Sequence, residues 1–117
     1  PENAMLYHRI VEAAFSVLAP ALAAIIERGA AEGLFDVGDA RTAADTLLWL
    51  GNGRRPIVMQ GLTLAETDVE AGLGLMLNRI RAEEGIIGRI LGLEPGGVDL
   101  IGSVDDLRAM VVAWNAD

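Results

Sequence analysis

The residue types that usually perform catalysis are few in this chain. His8 is the only histidine, cysteine and lysine are absent, and the sequence contains no H-x-x-x-H or E-x-x-H pair. Ser16 and Ser103 have no histidine at a spacing that suggests a nucleophile and its base. The sequence therefore predicts no catalytic residue, no metal site and no cofactor.

The acidic clusters also have plain structural interpretations. Glu66, Asp68 and Glu70 stand where a helix is expected to begin, and negative side chains at that place favour the helix dipole. The pair Glu83–Glu84 is interpreted as a solvated turn of helix rather than as a catalytic carboxylate pair. Neither cluster predicts an enzyme.

Composition limits the partners of the protein. The 117 residues have a net charge of −8, and 52% of them are hydrophobic with a mean hydropathy of +0.38. The apolar fraction excludes a disordered chain, and the negative charge disfavours nucleic acid and anionic lipid as direct partners. So small and apolar a domain is expected to leave apolar surface that faces a partner or a ligand.

No membrane-spanning or targeting segment is expected from the sequence. The most apolar stretch, 13–26, contains Ser16 and Pro20 and is shorter than the ~20 residues that a membrane helix needs. It also lacks the basic flank and cleavage pattern of a signal peptide. The expected location is the cytoplasm.

Hydrophobic periodicity predicts an all-α protein, an antiparallel bundle of four to five helices in one domain, 1–117. The first helix is expected over 3–28, with Gly29 ending it in a left-handed conformation. The second is expected over 41–60, capped by Asp39 and broken near 51–56, where two glycines precede Pro56. The residues 61–66 are then expected to form a connector.

Two further helices complete the pattern. A long helix is predicted over 68–90, with Thr67 as its N-cap and Gly92 after its end. A last helix is predicted over 104–114, capped by Ser103. The long helix has one apolar face and a second apolar stripe of Leu75, Ile86 and Ile90, so it must be covered on two sides.

That apolar face predicts a homodimer in which two helices from each chain form a four-helix bundle. Gly72 and Gly74 are expected to allow a close approach of the two copies. The expected interface residues are Val69, Gly72, Leu73, Met76, Leu77, Ile80 and Ile87.

Three stretches of the chain resemble the C-terminal half of TetR-family transcriptional regulators. They are 18–29 (LAPALAAIIERG), 30–37 (AAEGLFDV) and 39–44 (DARTAA), where a helix ending in glycine is followed by a second glycine, a Phe and an acidic-capped helix with paired alanines. The stretch 89–96 (RILGLEPG) is similar to the family's frequent ending of its last dimerisation helix. The resemblance covers most of 4–97 and leaves the last helix unassigned.

The resemblance implies a homodimer whose subunits each bind a small, hydrophobic effector that controls release of operator DNA. The family's basic helix-turn-helix domain is not among these residues, so operator DNA would be bound only through that absent domain. The implied pocket lies between the first two helices near Gly51–Gly53. Its expected ligand-binding residues are Tyr7, His8, Phe15, Phe35, Trp49, Asn52, Arg54 and Met59.

Other interpretations of the same residues remain open. Trp49 lies off the core face of its helix and suits a protein interface or simple packing as well as a pocket wall. Arg54 has Asp45 and Glu66 as possible surface partners. The alternative function is a stand-alone helical protein–protein interaction module without a small-molecule ligand, and a third alternative is a small helical enzyme that uses His8.

Overall fold

The computed structural model describes residues 2–116, which form five α-helices and no strand within that range. Their bounds are α1 (Glu2–Ala31), α2 (Ala40–Asn52), α3 (Arg55–Ala65), α4 (Val69–Leu91) and α5 (Val104–Trp114). The all-α fold class and the small helical bundle predicted from the sequence are confirmed. Helix α4 is central because it packs against α2, α3 and α5, whereas α1 packs mainly against α2.

The end of α1 differs from the prediction. The helix continues through Gly29 to Ala31, and Gly33, with a φ of 80°, adopts the left-handed conformation instead. Gly29 has another role: a Cβ atom there would overlap the ring of Phe35, which folds back onto α1. The first glycine gives space to an aromatic ring and the second turns the chain.

The middle of the chain contains two helices where one broken helix was expected. Asp39 caps α2 by accepting a hydrogen bond from the Thr42 amide at 3.1 Å, as predicted, and α3 begins at Arg55 with Pro56 in its first turn. The expected connector 61–66 is wrong, because α3 continues to Ala65.

The start of α4 also differs from the prediction, whereas its end and α5 agree with it. The N-cap of α4 is Asp68 rather than Thr67, since the Asp68 carboxylate accepts from the Ala71 amide at 3.0 Å. Gly92 follows α4 in the left-handed conformation. Ser103 caps α5.

The core consists of two hydrophobic clusters at opposite ends of α4. The first cluster joins α1, α2 and the C-terminal end of α4 through Ile26, Ala44 and Leu91. The second joins α3, α5 and the N-terminal half of α4 through Ala65, Leu73 and Val111. Because the clusters lie end to end, the molecule is a flat body of 47 × 38 × 17 Å.

The N-cap of α5 gives a first testable prediction. The Ser103 hydroxyl accepts a hydrogen bond from the Asp106 amide at 3.2 Å. Replacing Ser103 with alanine leaves this amide without its partner, so Ser103→Ala is expected to lower the free energy of unfolding by about 1 kcal/mol. Urea denaturation followed by circular dichroism measures this difference.

Ser16→Ala is the matched control for this change. Ser16 is exposed within α1, where its hydroxyl donates to the Ala13 carbonyl, and alanine has the higher helix propensity. The control is expected to keep or slightly raise the stability. Equal losses in both variants would contradict the capping role of Ser103.

Candidate functional site

The seam between α1 and α2 brings together four of the eight residues expected to bind a ligand. The Tyr7 hydroxyl donates a hydrogen bond to Asn52 Oδ1 at 2.8 Å. The rings of Phe15 and Trp49 meet edge to face, with their centroids 4.7 Å apart and an interplanar angle of 76°. Edge-to-face contact of this kind stabilises aromatic pairs beyond the area that they bury.

Arg55 joins this seam, although the sequence did not single it out. Its guanidinium lies 4.7 Å from the centroid of the Tyr7 ring, which is the geometry of a cation–π contact. The seam is therefore a half-exposed surface with one aromatic pair, a third aromatic ring, one amide and one cation. Such a surface suits a flat, apolar ligand with one polar or anionic group.

The other four predicted ligand residues lie elsewhere. His8 points along α1 to Glu12, with the two side chains 3.0 Å apart. Phe35 packs on the first cluster, and Met59 is exposed on α3. Arg54 bonds to Glu83 on α4 and not to Asp45 or Glu66. Four of the eight residues therefore make contacts along the seam, and the other four have different partners or are exposed elsewhere.

The expected dimer interface needs a correction as well. Gly72, Leu73 and Met76 are buried within one chain, where α3 and α5 cover them, and Val69 and Leu77 pack on the same second cluster. Ile87 packs on the first cluster, and Ile80 is also half-buried. The sequence showed two apolar stripes on α4, and the one assigned to a second copy is the one that closes the core.

A charged triad, missed from the sequence, lies between the two hydrophobic clusters. Glu83 is only 1% exposed, and both of its oxygens bind arginines: Arg54 Nε donates to Oε2 at 2.9 Å, and Arg79 Nε donates to the same atom at 2.9 Å. A second nitrogen of Arg54 donates to Oε1. The interpretation of Glu83 as a solvated residue is wrong.

The triad connects three helices. Arg79 also reaches the Leu50 carbonyl near the end of α2, with Nη2 at 3.4 Å, and Arg54 stands at the junction of α2 and α3. Burial alone would raise the pKa of the Glu83 carboxyl, but the hydrogen bonds and charge of Arg54, and then of Arg79, outweigh it and hold that pKa below its usual range. Glu83 also raises the pKa of Arg54. The pair of Arg54 and Glu83 thus carries fixed charges rather than a group that exchanges protons near neutral pH.

The ion pair of Arg79 and Glu83 could have been predicted from the sequence. Arg79 and Glu83 are four residues apart on one helix, which is the spacing of a helical ion pair. Arg54 is 29 residues from Glu83 in sequence, so only the folding of α2 and α3 against α4 brings it there.

A cleft with a volume of about 260 Å³ lies at the C-terminal end of α4. Arg81 and Arg89 line it on the helix, with Leu93 and Val98 on the following loop. Glu84, also on its wall, accepts a hydrogen bond from the Leu100 amide at 2.7 Å. This cleft is separate from the seam of α1 and α2, where the resemblance to TetR-family regulators implied the pocket.

Helix α1 is much longer than the apolar stretch 13–26 from which no membrane-spanning segment was expected. Its segment 3–31 is long and apolar enough to cross a membrane, by length and composition only. Helices of similar length and apolarity also occur in proteins where other protein surfaces cover them.

Among residues 2–116, no group of three histidine, aspartate or glutamate side chains is placed to hold a metal ion.

Comparison with known proteins gives no relative: no family model matches the chain, and neither a curated protein nor a solved structure is similar to it.

Proposed function

We propose that this protein is the effector-sensing and dimerisation domain of a TetR-like transcriptional regulator. The observation that carries the proposal is the amount of surface that one chain leaves uncovered. Its accessible surface is 7701 Å², roughly 1,600 Å² more than the ~6,100 Å² of a compact monomer of this mass. The radius of gyration of 16.4 Å likewise exceeds the value of about 13 Å for a compact domain of this length.

The uncovered surface supports association because much of it is apolar. Exposed large side chains include Leu6, Ile10, Val17 and Ile25 on α1 and Trp114 on α5. A stable interface of standard size buries about 800 Å² on each partner, so the excess is large enough for one. The stretches 18–29, 30–37 and 39–44, which resemble TetR-family regulators, make a second copy of the chain the partner that we propose.

The effector would bind at the seam of α1 and α2. Trp49, at 47% exposure, keeps part of its ring free for contact, while Asn52 and Arg55 offer polar groups beside it. A ligand that inserts between Tyr7 and Trp49 would change how α1 packs against α2. In the proposed function, that change alters the distance between the two DNA-reading domains of the dimer.

Ligand binding at the seam gives a direct prediction. A small apolar molecule with one anionic group, found by thermal-shift screening, is expected to change Trp49 emission because it contacts the ring. Asn52→Leu is expected to weaken this ligand about 10-fold, as one hydrogen-bonding partner is lost. Fluorescence titration measures both effects.

Arg89→Ala, in the cleft at the end of α4, is the control and is expected to leave the affinity unchanged. Trp114 also emits, so Trp114→Phe serves as the background in both titrations. A ligand that binds Asn52→Leu normally but fails to bind Arg89→Ala would assign the effector to the cleft. Sedimentation that shows only monomer, with no ligand found, would instead favour a stand-alone interaction module.

A further inference from the structure

A long apolar surface follows α1 on the side that α2 leaves uncovered. Its members are spaced three or four residues apart, and all are exposed, with Val17 at 72% and Leu6, Ile10 and Ile25 each at 58%. No charged residue lies on it between its first and last members. We call it the α1 stripe: Leu6, Ile10, Ala14, Val17, Ala21 and Ile25.

We propose that the α1 stripe is the dimer interface, packed against the α1 stripe of a second copy with the two helices antiparallel. This inference rests on the proposed dimerisation and names the face that performs it. The stripe extends for about 28 Å along the helix. The face of α4 predicted from the sequence cannot serve, because Leu73 and Met76 are buried within the chain.

The stripe is complementary to itself when the two copies run in opposite directions. In a symmetric dimer the same surface meets itself, so every contact between two residues occurs twice, once on each side of the two-fold axis. The alanines then allow the two helix axes to approach closely. An antiparallel pairing centred between residues 17 and 18 sets Ile10 against Ile25, Ala14 against Ala21 and Val17 against Leu18.

Charges beside the stripe favour the antiparallel direction over the parallel one. Arg9 and Glu27 lie on the same flank of α1, 18 residues and therefore five helical turns apart. Neither makes an ion pair among the side chains that the structure describes. Antiparallel helices place Arg9 beside Glu27 of the second copy, twice per dimer, whereas parallel helices place this flank of the two copies on opposite sides of the pair and bring no Arg9 to Glu27.

Other exposed apolar surfaces are less suited to a second copy. The outer side of α4 carries Leu75 and Ile86, but the exposed Asn78 and Arg89 interrupt it. The groove on α3 is short, with Met59 and Leu64 as its only apolar walls. The α1 stripe is both longer and free of charge.

The first test is Val17→Arg in the full chain. Because Val17 is already exposed, arginine is expected to leave the monomer folded and to raise the dissociation constant of the dimer at least about 100-fold. Val112→Arg on α5, at 50% exposure, is the matched control and is expected to dimerise normally. Sedimentation equilibrium measures association, and circular dichroism measures folding.

The second test exchanges the flanking charges. Arg9→Glu and Glu27→Arg are each expected to raise the dissociation constant about 10-fold, since two symmetric ion pairs turn from attraction into repulsion. The double variant Arg9→Glu/Glu27→Arg restores opposite charges and is expected to recover the original affinity. A parallel dimer would show neither the single effects nor the recovery, and that result would overturn the antiparallel arrangement.

The remaining outcomes separate the two proposals. A dimer that Val17→Arg leaves intact would overturn the α1 stripe as the interface and leave the proposed dimerisation standing. A monomer at all micromolar concentrations would overturn both. Binding of that monomer to phosphatidylcholine vesicles, lost in Val17→Arg, would assign the stripe to a lipid surface instead.

Discussion

Replacing Glu83 with glutamine is expected to lower the free energy of unfolding by about 2–4 kcal/mol, which makes it one of the two most damaging changes that the structure suggests. Glu83 is 1% exposed, and it is the shared acceptor of Arg54 and Arg79. Glutamine keeps the shape but removes the charge. Two guanidinium groups that are about 30% exposed would then face each other without a counter-charge. Urea denaturation at pH 7 measures the loss.

The control for this substitution is Glu32→Gln. Glu32 is exposed in the turn after α1 and makes no ion pair within the described residues, so its replacement is expected to change stability by less than about 0.5 kcal/mol. The triple variant Arg54→Met/Arg79→Met/Glu83→Leu provides a second comparison. It is expected to be more stable than Glu83→Gln, because no unpaired charge remains buried. A loss in Glu83→Gln no larger than that in Glu32→Gln would contradict the role of the triad.

The same carboxylate predicts a dependence of stability on pH. Its pKa in the folded protein lies below the ordinary value of 4.5. Its stabilising contribution is therefore complete above pH 4.5 and is lost as the pH falls through the lowered pKa. The wild type is expected to lose stability more steeply below pH 4.5 than Glu83→Gln does, because the variant has no carboxylate to protonate at that position.

Replacing Gly72 with alanine is the second change expected to have a large effect. A Cβ atom at Gly72 would lie 2.7 Å from Ala65 Cβ and would overlap the Gly61 carbonyl oxygen. Both neighbours belong to α3, so backbone must move to make space. We expect Gly72→Ala to lower the free energy of unfolding by about 3 kcal/mol, at the upper end for an overpacked core.

Gly74→Ala is the matched control on the same helix. No atom lies within 4 Å of its added Cβ, and alanine stabilises a helix relative to glycine by about 0.5–1 kcal/mol. The two variants are therefore expected to change stability in opposite directions under thermal or urea denaturation. Similar effects at the two glycines would contradict the close crossing of α3 and α4.

The sequence alone determined the helices and most of their caps. Apolar residues at helical spacing, Asp39 and Ser103 as N-caps and Gly92 after α4 are local signals, because each acts within a few residues of itself. The length of α3 was missed for the opposite reason. In the sequence, Gly61 predicts the end of a helix. It lies inside α3 instead, where the absence of a side chain lets the backbone of Gly72 on α4 approach.

The candidate site was predictable only in part. The aromatic residues Tyr7, Phe15 and Trp49 were identified from the sequence, and they do converge on the seam of α1 and α2. Arg54 was expected beside them and instead binds Glu83, 29 residues further along the chain. The sequence contained both residues but not the contact, since a pairing across that distance depends on how α2 and α3 fold against α4.

The two apolar stripes of α4 show the same limit most clearly. Periodicity established that Leu73 and Met76 lie on one face and Leu75 and Ile86 on another, because a helix fixes which side chains share a side. Which face closes the core was decided by tertiary structure, through the close contact of Gly61 with Gly72 and the docking of α5. A helix face is buried only where another part of the protein covers it, and the covering residues are distant in sequence.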